Sequence, residues 1–291
     1  MKTIFLGKNC IEVQKTDSTN SYMAGLASLP APLLGERGAK PLFEGTVVVA
    51  NHQEQGRGQR GSTWEGEPGK NLTLSIFLTP TFLKPEEQFQ LNKAVSLGVV
   101  EFIRHTPSLI SPKGGEDRAN GEYALALSPL DNRRLRAQLT GSGVAIKWPN
   151  DIYIGNKKVA GILIENSVSG NDLQHSIIGI GINVNQEIFS AQLPNPTSLK
   201  LITGKEFDLK ECLEQLCSSI EKRYLQLRNS SKKIDSDYLK NLCRFEEWAN
   251  YNYKGEKVKA KITGVSKIGK LILETEKGGR LECDFKEIIS L

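Results

Sequence analysis

A chain of 291 residues, 38% hydrophobic and 24% charged, has the balance of a soluble globular protein with room for one large domain and one small one. Its net charge of +5 comes without any long lysine or arginine run, so nucleic acid is an unforced partner and an acidic protein fits equally well. Five cysteines without a C-x-x-C and three histidines offer no zinc-ligand spacing, no run nears the ~20 apolar residues that span a bilayer, and the N-terminus lacks a signal-peptide core. These features predict reduced thiols and a cytoplasmic protein with no membrane association.

In chain order, residues 1–13 read as short and strand-prone. Thr16-Asp17-Ser18-Thr19-Asn20 then precedes a helical pattern through Tyr22, Met23 and Leu26. This is an N-cap signal, and the hydroxyls and unpaired N–H groups of a first helical turn can also meet a small polar ligand. Residues 29–41, rich in proline and glycine, read as a loop.

Two strand-like runs, residues 46–50 and 72–77, bracket a cationic loop that starts at Gln53 and holds Gly56, Arg57, Gly58, Gln59, Arg60, Gly61 and Trp64. Glycines there permit positive φ and close backbone approach, and arginines offer fixed forks of donors to carboxylate or phosphate. Alone, the loop reads equally as a solvated hairpin. It is neither a P-loop nor a dinucleotide fingerprint.

Residues 85–105 predict a mostly buried helix, with Phe89, Leu91, Val95, Leu97, Val99 and Ile103 at helical spacing. Residues 107–143 read as an insertion, mostly loop, with a helical turn around 130–139 and Arg133, Arg134 and Arg136 on a solvated face. Residues 145–148 resume the sheet, and Pro149 enforces an extended approach to Asn150 and Asp151. A strand, tight turn and strand follow through Glu165. The strand at 176–185 carries Gly179 and Gly181, which either leave space for a ligand or merely kink a core strand. Residues 209–227 predict an amphipathic helix and 228–233 a linker. Runs at 257–262, 271–275 and 280–285 then alternate as strands of a small barrel, and the pattern leaves SH3-like and OB-like forms open.

Taken together, G-R-G-Q-R-G-x-x-W from Gly56, K-W-P-N-D from Lys147 and K-x-A-G-I-L from Lys158 resemble the biotin protein ligase (holocarboxylase synthetase) family, in order over about residues 10–230. The resemblance implies an α+β fold. A class II synthetase-like catalytic domain with a mixed central sheet and helices would occupy 1–235, and an SH3-like β-barrel 236–291. It also implies the monofunctional type, since the start of the chain leaves no room for a helix-turn-helix repressor domain, and so no specific DNA binding.

The implied chemistry is activation of biotin with ATP and Mg2+ to biotinyl-5′-adenylate, then transfer to a lysine of a biotin carboxyl carrier protein domain of a biotin-dependent carboxylase. Neither step needs an enzyme nucleophile, which agrees with a chain showing cations and amides but no Ser-His-Asp or Cys-His set. The resemblance gives Arg57 and Lys158 catalytic roles and places Ser18, Thr19, Asn20, Gln53, Gly56, Arg57, Trp64, Lys158 and Gly161 at biotin. It places Gln59, Arg60, Lys147, Asn150, Asp151 and Asn183 at the nucleotide, and it names no protein ligand for a metal. Some bacterial members have an arginine where this chain has Gln59, which cannot ion-pair with Asp151. A lipoate or octanoate transferase, and a non-catalytic ligand sensor or nucleic-acid-binding protein using the basic loop and small barrel, are the rival readings, and a homodimer is left open.

Overall fold

The computed structural model describes residues 3–28, 42–109 and 143–290. The loop read at 29–41 and residues 110–142 of the insertion lie outside the described residues.

A seven-stranded sheet forms the body of the molecule, in the order β1 (Cys10–Thr16), β2 (Val47–Gln53), β5 (Leu72–Leu78), β9 (Asp172–Ile182), β8 (Lys157–Ser169), β7 (Asp151–Ile154) and β6 (Val144–Lys147). Only β1 and β2 run parallel; every other neighbouring pair is antiparallel, so the sheet is mixed. Because side chains alternate across a strand, Leu72, Leu74, Ile76 and Leu78 of β5 share a buried face with Ala160 and Ile162 of β8 and Ile178, Ile180 and Ile182 of β9. Against that face pack α2 (Phe89–Leu109), α4 (Leu209–Asn229) and α5 (Ser231–Lys240), which contribute Leu91, Val95, Leu216, Ile220, Ile234 and Tyr238 to the same core, joined by Leu199 of the short α3 (Leu199–Thr203).

The opposite face presents Thr73, Ser75, Gly161, Gly179 and Gly181. Among the described residues, α1 (Thr19–Ala27) and a two-stranded hairpin, β3 (Gly56–Arg57) with β4 (Thr63–Trp64), stand over it. Met23 of α1 anchors that helix in a second small cluster with Val48 and Ile177.

Three sequence expectations need correcting. The helix read at 85–105 is a 3-10 turn, Pro85–Glu87, followed by α2, which continues through Pro107 to Leu109, so the insertion begins later than expected. The linker read at 228–233 is helical, with α4 ending at Asn229 and α5 starting at Ser231, because Ile234 and Tyr238 pull the segment into the core. Ser18 does occupy the N-cap position of α1 but makes no capping bond; the Gln53 side-chain carbonyl accepts from the Thr19 N–H at 2.7 Å instead.

A second, five-stranded antiparallel sheet follows in the order β13 (Arg280–Cys283), β12 (Leu271–Thr275), β11 (Glu256–Val265), β10 (Trp248–Tyr253) and β14 (Ile288–Ser290), consistent with an SH3-like module. Its Tyr251, Ala260, Ile262, Leu271 and Leu273 belong to the same continuous apolar core as the large sheet. The junction is specific: the Trp148 indole N–H donates to the Gly269 carbonyl at 2.9 Å, and Gly269, at φ +94°, lies so close on Phe89 that a Cβ would fall 2.5 Å from that ring. Beyond α5, Ile146 N–H donates to Asn241 O and Cys243 N–H to Ile146 O, so the chain covers the β6 edge.

Candidate active site

The glycines on the open sheet face leave the room that defines the site. A cavity of about 100 Å³ lies above β5, β8 and β9, under α1 and the hairpin. Gly181 has no side chain because the Trp64 ring occupies its place, and a Cβ at Gly179 would lie 2.5 Å from Asn20 Oδ1. Gly161 borders both Trp64 and Lys158.

One end of the cavity is a hydrogen-bonded row of hydroxyls and amides. Gln53 Oε1 accepts from Thr19 N at 2.7 Å and Thr19 Oγ1 at 3.0 Å. Ser75 Oγ lies 2.7 Å from Thr19 Oγ1 and donates to Asn20 Oδ1 at 2.6 Å. Asn20 Nδ2 donates to Glu165 Oε2 at 2.7 Å. These side chains are held by three elements, the first turn of α1, the end of β2 and the middle of β5, so their orientations are fixed before any ligand arrives.

Trp64 forms the wall. Its indole N–H is buried with no acceptor among the described residues, and the Lys158 ammonium stands 5.9 Å from its ring centre. Lys158 is fixed at the backbone, its N–H donating to Asn195 O and its carbonyl accepting from Thr197 N–H, and its ammonium pairs with Asp151 at 2.7 Å. Thus the carboxylate that Gln59 cannot pair with is taken by Lys158. Arg57, at the mouth, pairs with Glu165 at 2.9 Å.

Asn150, buried beneath this end, donates its side-chain amide to Ile162 O, and Tyr238 of α5 supports the segment by donating to Pro149 O at 3.1 Å. The Trp148–Pro149 peptide is cis. From the small sheet, Phe285 reaches the cavity with its ring 6.2 Å from that of Trp148.

Of the residues read from sequence, the fold brings Ser18, Thr19, Asn20, Gln53, Arg57, Gln59, Trp64, Asn150, Asp151, Lys158 and Gly161 to the cavity wall. Gly56 sits just behind, paired with Trp64 across the hairpin. Arg60 lies in a 3-10 turn, Gln59–Gly61, with its side chain outside the described residues. Two do not arrive. Lys147 points outward from the edge strand β6, its ammonium 5.1 Å over the Tyr153 ring. Asn183 is buried behind the cavity, donating to Thr197 O at 2.9 Å. Sequence reasoning missed Ser75, Thr73, Ser62, Leu163, Glu165 and Phe285. For Thr73 and Ser75 a signal existed, since they are the polar alternates of an otherwise apolar strand; Glu165 and Phe285 depend on contacts distant in sequence.

Among the described residues no group of three or more His, Cys, Asp or Glu side chains is placed to hold a metal, and no helix is long and apolar enough to cross a membrane. All five cysteines are free thiols. Burial pushes the Cys212 and Cys217 thiols up to about 12, which keeps both protonated and inert at neutral pH.

Residues 33–183, just over half of the chain, match the model of the biotin/lipoate A/B protein ligase family. The chain is 29% identical over 227 residues to the bifunctional ligase/repressor BirA of Bacillus subtilis (strain 168), a match that covers 77% of this chain but only 56% of that protein. It is 28% identical over 218 residues to the biotin–[acetyl-CoA-carboxylase] ligase of Paracoccus denitrificans, covering 73% and 72%. In three dimensions it resembles the biotin protein ligase from Aquifex aeolicus in complex with biotin and ATP, with a TM-score of 0.67, 26% identity, and 98% and 99% of the two chains covered.

Proposed function

We propose that this chain, which belongs to the biotin/lipoate A/B protein ligase family, is a biotin protein ligase that activates biotin with ATP and transfers it to a lysine of a carrier domain. The observation that carries this reading is the composition of the cavity: hydroxyl and amide groups at one end, an indole wall over a glycine floor, the Lys158 ammonium beyond, and the Arg57 guanidinium at the mouth. A cyclic urea needs the first, a saturated ring and alkyl chain the second, and a carboxylate approaching a phosphate the third.

Thr19, Asn20 and Gln53 hold the ureido end, with Ser18 beside them and Gly56 and Gly161 giving the backbone clearance. Trp64 covers the apolar part. The ligand carboxylate reaches Lys158, which gives up Asp151 for the two incoming anions. A carboxylate oxygen then attacks the α-phosphorus, the bond to the β-phosphate breaks, and pyrophosphate leaves. Lys158 and Arg57 offset the charge that gathers on the α-phosphoryl oxygens, an effect larger in the transition state than in the ground state. In the second step the neutral amine of the carrier lysine attacks the acyl carbon, AMP leaves, and the amine's surplus proton passes to solvent.

The nucleotide occupies the end lined by Gln59, Asn150 and Asp151, with Arg60 on the hairpin above it; Lys147 and Asn183 stand outside this end and act on it through their neighbours. Asp151 is the one carboxylate among the lining residues, so it is the side chain that would face an Mg2+ brought in by the nucleotide, and that ion would add to the charge neutralisation by Lys158 and Arg57. Residues 1–235 serve as the catalytic unit and 236–291 as a module docked on it. The carrier partner is the biotin carboxyl carrier domain of a carboxylase, and ATP use with five free thiols suits the cytoplasm.

Biotin-dependent exchange of labelled pyrophosphate into ATP tests the first step. Exchange with biotin is expected, and exchange only with lipoate or octanoate, or with no acid at all, would overturn the reading.

A further inference from the structure

We infer that Glu165 is a positioning residue that ties the hairpin over the cavity to the cavity's inner wall. Its single Oε2 atom accepts from Asn20 Nδ2 of α1 at 2.7 Å and from Arg57 Nη2 of the hairpin at 2.9 Å. Glu165 lies on the open face of the sheet, two residues along β8 from Leu163, whose carbonyl also takes the Asn20 amide at 3.4 Å. The carboxylate therefore does two things. It fixes which way the Asn20 amide faces, with nitrogen to Glu165 and oxygen to Ser75, and it draws Arg57 down to the mouth of the cavity, 108 residues away in sequence.

The base of the hairpin is held by Trp64, packed on the glycine floor, and by Glu54 N–H to Thr16 O and Gln55 N–H to Asp17 O. Its tip is held less: the strands are two residues each, and Gly58 N–H to Ser62 O at 2.7 Å and Ser62 Oγ to Gln59 O at 2.5 Å close the turn on itself, so among the described residues the Arg57–Glu165 pair is the side-chain tie between this turn and β8. Arg57 and Glu165 are 45% and 39% exposed, and ion pairs so open to water shift a two-state balance by about fivefold at most. That is enough to favour the closed hairpin and too little to prevent a ligand from entering.

Within the proposed ligase function, Glu165 sets how often the empty enzyme holds the hairpin closed and the Asn20 amide oriented when biotin arrives. When the site is saturated the ligand's own contacts hold the hairpin, and Glu165 adds little. Loss of the carboxylate charge thus raises the KM for biotin and leaves kcat alone.

The Glu165→Gln variant keeps an acceptor for Asn20 and removes the ion pair. Limited trypsin digestion of the ligand-free protein, scored for cleavage after Arg57, is expected to run about two- to fivefold faster than in the parent chain. Glu54→Gln, which removes the exposed Lys15–Glu54 pair (2.8 Å) at the foot of the same loop, should leave that rate unchanged. Equal cleavage of Glu165→Gln and parent, or equal acceleration by Glu54→Gln, would overturn the assignment, and neither outcome depends on what the enzyme acts upon. In pyrophosphate exchange, Glu165→Gln should raise the KM for biotin by a similar factor with kcat within about twofold. A fall in kcat with KM unchanged would refute the positioning role.

Discussion

On the helix-covered face of the seven-stranded sheet, β5 offers Leu72, Leu74, Ile76 and Leu78 and β9 offers Ile178, Ile180 and Ile182, all closed off from solvent. One residue along the same strands, the opposite face offers Thr73, Ser75, Gly179 and Gly181, above which lies the cavity. The period of two in a strand thus divides a single run of sequence between two tasks. One face is filled by side chains of the right volume; the other is kept empty, so that side chains from other elements, Trp64 and Asn20, can lie on the backbone itself. Substitutions on the two faces should therefore fail in different ways.

The largest effect is expected on the filled face. Ile76→Ala removes a fully buried side chain that does not line the cavity and should cost about 2–5 kcal/mol of stability, read as a lower urea midpoint, with the KM for biotin of the remaining folded protein unchanged. A loss of binding without a loss of stability would break the division between faces. Next comes Lys158→Ala, at the far side of the cavity. It should fold normally and bind biotin measurably while losing adenylation by about 10²–10³-fold, the usual worth of one group aimed at developing charge. Near-normal pyrophosphate exchange by this variant would remove Lys158 from the chemistry.

A smaller effect tests the empty face directly. A methyl group at Gly181 would collide with the Trp64 ring, and Gly181→Ala should displace that ring at about 1–3 kcal/mol. Because the strand forms the floor of the cavity, the cost should appear mainly as weaker biotin binding in titration calorimetry. Full affinity with an unchanged indole fluorescence would show that the ring is not part of the wall.

Much of this division was readable in the chain. The apolar alternates of β5 and the helical spacing of α2 and α4 announce the filled face, and the glycine pair at 179 and 181 marks the empty one. Most residues of the three motifs meet at the cavity, because each sits at a strand end or in a tight turn where local sequence governs direction. What stayed hidden depends on partners far apart in the chain. Nothing near Glu165 indicates that it will meet Arg57, and nothing near Thr19 indicates that its N–H will be capped by Gln53. Strand β10, W-A-N-Y-N-Y, alternates Tyr251 and Tyr253 with Asn250 and Asn252, but it buries only Tyr251 fully, and asparagine is a poor strand former, so its local signal is weak. Lys147 stands apart from the cavity for a related reason: its motif neighbours turn inward after Pro149, while Lys147 itself is the outward alternate of β6 beside buried Ile146.

The smallest effect concerns the region where the two sheets meet. Phe285 belongs to the small sheet's module yet lines the cavity, its ring against Trp148 in the segment that also supplies Asn150 and Asp151. Trp148 in turn donates to Gly269 of the same module, so the end of the cavity proposed for the nucleotide is built by both sheets and the end proposed for the ureido ring by one. Phe285→Ala should then act on one substrate alone. Loss of one face of an aromatic contact is worth about 0.5–1.5 kcal/mol, a rise of roughly two- to tenfold in the KM for ATP, while the KM for biotin, set some residues away by Thr19, Asn20 and Gln53, should not move. A parallel rise in both constants would mean that Phe285 holds the module in place and only indirectly shapes the cavity, and thermal unfolding of the variant would then show the same loss.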